Sequence, residues 1–174
     1  MSGLMRNQIF ISYARADNES PDPSKRWLDR LVEQLKPLQD QGQIDVWSDQ
    51  DISMGETWHE RIQASLGRAK AAVLLVSPAF LASEYIRNSE LPVLLKQAQD
   101  QGTVVIPIIL RHCTFHLVRF KYPDPRYGPQ ELLLSSFQAA NPPGKPLNAL
   151  PEDEQDKILV SVAERLLEIV SPNP

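Results

Sequence analysis

The sequence predicts an α/β domain: a central parallel β-sheet with helices packed on both faces. Three observations predict it. Short apolar runs recur along the chain, each followed by a stretch with helical spacing. Several of those runs are apolar at consecutive positions, as strands covered on both sides require. The order reads βαβαβαβ, then a looser region, then a last helix.

Residues 9–13, Ile-Phe-Ile-Ser-Tyr, form the first β-rich run. Residues 14–23 are polar and carry two prolines, so they read as a loop. Residues 23–38 place Trp27, Leu28, Leu31, Val32 and Leu35 at helical spacing, with Asp22 or Ser24 as cap. Gly42 punctuates, and residues 44–47 form the second strand. Residues 48–56, SDQDISMGE, are a loop. The next helix presents Trp58, Ile62, Ser65, Leu66 and Ala69 on one face. Residues 71–76 are an uninterrupted apolar strand that Ser77-Pro78 breaks. A short turn with Phe80 and Leu81 leads to Ser83 as N-cap of a helix over residues 84–99. Pro92 either kinks or divides that helix.

Residues 104–110 are the fourth strand, and Pro107 assigns it an outer position or a bulge. Residues 111–130 read as irregular, 131–137 as a short last strand, and 141–146 as a loop. Residues 151–169 are the final helix, with Ile158, Val162, Leu166 and Ile169 on its stripe. In such sheets ligands bind beyond the carboxyl ends of the strands. Here those ends are 12–13, 47–49, 77–78 and 110–112. The organisation expected is a tail at 1–6, one domain over 7–170, and a tail or linker start at 171–174.

The chain has 174 residues, enough to bury a core without metal or disulfide support. It holds one cysteine, Cys113, so no intrachain disulfide forms, in keeping with a reducing compartment. The net charge is -4 and no basic run exists, which argues against nucleic-acid binding. No secretory pattern opens the sequence, and no apolar stretch reaches bilayer-spanning length. A cytoplasmic location away from membranes is expected. There is no GxGxxG after the first strand, no Walker A and no GxSxG elbow. The third strand ends in Ser-Pro, not the aspartate that a phosphoacceptor domain needs. His112, Cys113 and His116 lie close, but nothing nearby completes a metal set. No metal and no bound cofactor are expected.

Four segments then combine: FISYARAD at 10–17, DVWSDQDISMGETWHERI at 45–62, AVLLVSPAFLASEYIRNSEL at 72–91 and VVIPIIL at 104–110. Their order resembles the TIR (Toll/interleukin-1 receptor) domain family. FQAANPPGKPLNAL at 137–150 resembles its bacterial branch. The likeness covers about residues 7–170 and implies a flavodoxin-like three-layer fold. Some members are scaffolds that signal through TIR–TIR contacts. Others cleave NAD+ at the nicotinamide–ribose bond. The second group carries a glutamate on the helix after the third strand, which matches Glu90, with Glu84 the competing acid.

One carboxylate is enough for that chemistry. Nicotinamide in NAD+ is already cationic and departs neutral, so no general acid is needed. A carboxylate near the ribose stabilises the oxocarbenium-like transition state. The resemblance also nominates residues that approach the dinucleotide. Phe10 and Tyr13 flank the first strand end, with core as the favoured reading of Phe10. Arg15 is nominated for a phosphate. Trp47 and Asp49 begin the loop after the second strand, and Ser53 and Gly55 set its shape. That loop is the family's main assembly element. Trp58 reads as core. Ser77 either hydrogen-bonds ribose or caps a turn. The implied substrate is NAD+, and the implied partners are other TIR domains and a fused or separate sensor domain. The products are nicotinamide and ADP-ribose or a cyclic isomer. Bacterial relatives serve in antiviral defence by draining NAD+, or interfere with host signalling. A scaffold without enzymatic activity and a nucleotide-sensing α/β domain are the other readings.

Overall fold

The computed structural model describes residues 8–48, 69–84, 86–87, 91–122, 126–128 and 130–170. Four parallel strands form the main sheet: β1 (Gln8–Ser12), β2 (Asp45–Ser48), β3 (Ala69–Val76) and β4 (Val104–Ile109). Their spatial order is β2-β1-β3-β4. The register pairs Phe10 with Trp47 across β1 and β2, Ser12 with Leu74 across β1 and β3, and Leu74 with Pro107 across β3 and β4. Pro107 thus lies in an outer strand, where its missing N–H interrupts no central ladder.

Alternation along the strands divides the core into two layers. Ile9, Ile11, Ala71, Val73, Leu75, Ile106 and Ile108 face one side. There they meet the apolar stripes of α1 (Trp27–Asp40) and α4 (Glu152–Val170). Phe10, Ala72, Leu74, Val76, Val105 and Ile109 face the other side. Phe80 and Leu81 of α2 (Pro78–Ala82) cover that side with Leu91 and Leu94 of α3 (Leu91–Gln101). The result is the three-layer, flavodoxin-like α/β arrangement. Fully buried side chains such as Leu28, Leu31 and Leu74 each contribute roughly 1.5–3 kcal/mol by leaving water.

Local chemistry sets the element ends. Asp22 accepts from the Ser24 N–H at 3.0 Å and caps a short 3-10 turn, Pro23–Lys25, that leads into α1. Asn18 reaches the same helix from the preceding loop: its Oδ1 accepts from Asp29 N–H at 3.0 Å. At the far end Gly42 takes φ +76°. Gly42 N–H donates to Gln39 O at 2.9 Å and Gln43 N–H to Leu38 O at 3.0 Å, the two bonds of a Schellman turn.

The structure differs from the sequence reading at two places. Ala69, assigned by spacing to a helix, opens β3, whose alternation extends two residues further toward the amino end. Residues 111–130 are not wholly irregular. They contain β5 (Arg119–Tyr122), which pairs antiparallel with β6 (Gln130–Leu133) in a separate two-stranded sheet. The last strand is therefore a hairpin arm rather than part of the main sheet, and a 3-10 turn, Leu134–Ser136, follows it. Of the helix expected over 84–99, Glu84, residues 86–87 and α3 from Leu91 onward are helical, and residues 85 and 88–90 lie outside the described residues. Ser83 acts as expected upstream, accepting from Ile86 N–H at 3.3 Å. The helix expected after the 48–56 loop lies outside the described residues.

Candidate functional site

The sheet order locates the switch point. The chain leaves β1 toward β2 on one side, and β3 lies on the other side. The connections therefore diverge between the carboxyl ends of β1 and β3, the position at which sheets of this kind form a ligand crevice.

The turn after β1 is a short 3-10 segment, Arg15–Asn18, closed by Asp17 N–H donating to Ala14 O at 2.9 Å. Asp17 is buried within it, at 9% exposure. Across the crevice, Ser77 directly follows β3 and is fully buried. Its hydroxyl donates to the Asp17 carboxylate. The same Oγ accepts from Phe80 N–H at 3.1 Å and so caps α2. Both functions of the hydroxyl are thus used inside the fold. Burial pushes the Asp17 carboxyl above the usual carboxylate range. The Ser77 hydrogen bond and the positive field of Arg111 act against that shift. Arg111 follows β4 and is exposed.

The nominated residues divide sharply. Phe10 is fully buried on the α3 side of the sheet and stacks on half-buried Trp47, ring centroids 5.5 Å apart and planes 29° apart. Tyr13 is buried in the opposite layer, against α1 and α4. The structure therefore brings Phe10 to Trp47 but sends Tyr13 to the other face. Arg15 is exposed on the turn that carries Asp17. Ser77 meets Asp17 rather than open solvent. Asp49, Ser53, Gly55, Trp58 and Glu90 lie outside the described residues. The competing acid, Glu84, is exposed.

Sequence reasoning passed over Asp17 and Arg111. Asp17 sits in a polar loop among other acids, and nothing in its spacing marks it as buried. The available signal was its place shortly after a strand that ends at the ligand-binding edge. Among the described residues, no group of three or more His, Cys, Asp and Glu could hold a metal ion. Cys113 is half-buried, and burial raises its thiol, which a backbone hydrogen bond with Phe115 partly offsets. Among the described residues no helix is long and apolar enough to cross a membrane.

Comparison with known family models agrees with the fold. The model of the family described as TIR domain matches residues 9–133, more than half of the chain. The uncharacterised protein y4lF of Sinorhizobium fredii is 30% identical over 157 residues, which cover 90% of this chain and 42% of that relative. The chain thus spans about two-fifths of the length of the relative it matches. Among solved structures, the TIR domains of the activated Roq1 resistosome directly recognizing the pathogen effector XopQ align over 96% of this chain and 85% of theirs. The identity there is 17% and the TM-score 0.49. The matched span runs from β1 through β6 and takes in the strand-end crevice. The chain belongs to the TIR domain family.

Proposed function

We propose that this chain is an NAD+ glycohydrolase that cleaves the nicotinamide–ribose bond, with Glu90 as the catalytic carboxylate. The observation that carries the reading is family membership over residues 9–133, a span that includes Glu90 in its SEYIRNSEL context. The crevice between β1 and β3 supports it, because an α/β sheet presents nucleotides at such a point.

In the proposed reaction the bond from ribose C1′ to the pyridinium nitrogen breaks. Its electron pair goes to that nitrogen, and nicotinamide leaves neutral. The ribose centre carries the positive charge, and the Glu90 carboxylate stabilises it. Water then bonds to C1′ and loses a proton to give ADP-ribose, or a group of the substrate itself attacks and gives a cyclic isomer. Arg15 meets the diphosphate. Phe10 and Trp47 form the aromatic wall behind the first two strand ends. Asp49, Ser53 and Gly55 belong to the loop through which TIR domains self-associate in the cytoplasm. A sensor domain, fused or separate, sets when they do so. The greater length of y4lF is compatible with fusion.

The test is nicotinamide release from NAD+ by wild type and Glu90→Ala across a wide range of protein concentration. Turnover should rise faster than linearly with concentration, and Glu90→Ala should lower it at least about 100-fold. Self-association without NAD+ consumption at any concentration would overturn the enzymatic reading in favour of a scaffold. Turnover unaffected by Glu90→Ala would overturn the residue assignment alone.

A further inference from the structure

The Arg15–Asn18 turn is held at two consecutive residues, and they grip different parts of the molecule. Asn18 binds the first turn of α1: its Oδ1 accepts from Asp29 N–H at 3.0 Å, and its Nδ2 donates to Asp29 Oδ1 at 3.1 Å. Asp17 binds the end of β3 through the Ser77 hydroxyl. The turn is therefore tied both to the start of α1 and to the end of β3. Arg15, on the same turn, is exposed and makes no ion pair among the described residues. The Ser77 hydroxyl is fully buried, donates to Asp17 and accepts from Phe80 N–H, so it is held inside the fold. Its role at this edge is internal.

A buried carboxylate is an expensive way to pin a turn, since a neutral side chain avoids most of the desolvation penalty. Carboxylates are nonetheless stronger acceptors than neutral groups, and the bonds they receive are shorter and hold geometry more tightly. Placement matters most where a cation must meet a substrate at a fixed point.

We propose that Asp17 is a positioning residue of the strand-end site: through Ser77 it fixes the turn that carries Arg15 across the β1/β3 crevice, so that Arg15 meets the diphosphate of the dinucleotide. This rests on the NAD+ reading above. Asp17 acts through Ser77 and the turn, without touching the substrate.

The experiment measures kcat and KM for NAD+ in wild type, Arg15→Ala, Asp17→Ala, Asp17→Asn, Ser77→Ala and the Arg15→Ala/Asp17→Ala double variant. Melting curves confirm that each is folded. Arg15→Ala should raise KM about tenfold, the weight of one charge-assisted hydrogen bond. Asp17→Ala and Ser77→Ala should raise it to a similar degree, with kcat changed far less. The double variant should be no worse than Arg15→Ala alone, because the turn has nothing left to position. Asp17→Asn keeps an acceptor for Ser77 and should restore KM to within about threefold of wild type. Should Asp17→Ala fail to fold, Ser77→Ala and Asp17→Asn carry the comparison. A lowered melting temperature with unchanged KM would overturn the proposal and leave Asp17 purely structural. Multiplicative effects of Arg15→Ala and Asp17→Ala would overturn it too. A wild type that never turns over NAD+ would remove the functional reading itself, an outcome distinct from both.

Discussion

Asn141 and Asp17 are both buried polar side chains that tie a loop to the sheet, yet they do so in opposite ways. Asn141 serves the outer edge at β4. Its Oδ1 accepts from Ile109 N–H at 2.9 Å, and its Nδ2 donates to Ile109 O and to Lys145 O, each at 3.0 Å. One residue earlier, Ala140 N–H donates to Pro107 O at 2.7 Å. An irregular segment thus satisfies the edge that a further strand would otherwise fill. Asn141 is neutral and well supplied with partners at 2% exposure. Asp17, at 9%, is a carboxylate whose burial works against its charge. The first arrangement is what a scaffold needs. The second costs desolvation, and it sits where the proposal above places the turn that carries Arg15.

The largest effect should come from breaking the scaffold side of the pair. Asn141→Ala leaves Ile109 N–H and C=O buried without their partner. It should cost about 3 kcal/mol and lower Tm by roughly 9 °C. Its KM for NAD+, per folded molecule, should stay at the wild-type value. If Asn141→Ala raised KM as Asp17→Ala is expected to, the contrast between the two sites would collapse.

A second scaffold tie calibrates the scale. Arg30 joins α1 to the start of α4. It donates to Ser24 O at 2.8 Å, to Gln155 Oε1 at 2.6 Å and to Asp156 Oδ1 at 2.7 Å, and it lies 5.1 Å from the Trp27 ring centroid. The Arg30 side chain is 12% exposed but that of Asp156 is 51% exposed, so water screens the ionic part. Arg30→Ala should cost about 2 kcal/mol through lost hydrogen bonds and packing. Asp156→Ala should cost less than about 0.5 kcal/mol. Urea midpoints at neutral pH separate the two.

The same contrast explains what was legible in the sequence. Burial on both faces leaves a dense apolar signature, so 9–13, 71–76 and 104–110 announced their strands. Pro107 announced an outer position or a bulge because its missing N–H disfavours a regular central strand, and the outer position is what the sheet shows. The β5–β6 hairpin was less legible. Its arms are only four residues each: RFKY alternates charge with apolar residues, but QELL does not. Asn141 was hidden because NPPGKP reads as a turn whichever edge it serves. At the site, Phe10 and Trp47 were nominated separately at two strand ends, and their stacking was not legible. Tyr13 was nominated with Phe10 by proximity in sequence. The alternation that carries Ile9 and Ile11 to the α1 side carries Tyr13 there as well. Asp17 was illegible because its burial comes from a contact with Ser77, 60 positions along the chain.

The smallest effect is also the most specific to Asp17, and it lies in pH dependence. Its proton is held more tightly in the folded state than in the unfolded chain, because burial outweighs both the Ser77 hydrogen bond and the field of Arg111. Between the ordinary carboxylate range and the raised value, the folded state therefore carries more protons at this site. Stability must fall as pH rises through that window, and the loss is complete above the folded value. Asp17→Asn removes the titrating group but keeps an acceptor for Ser77. The stability of Asp17→Asn relative to wild type should thus rise with pH across the window and level off above it. Urea midpoints at closely spaced pH values measure that difference. A difference that stayed flat would mean that Ser77 and Arg111 fully offset burial. Asp17 would then resemble Asn141, a balanced part of the scaffold, and the case for tension at the crevice would be lost.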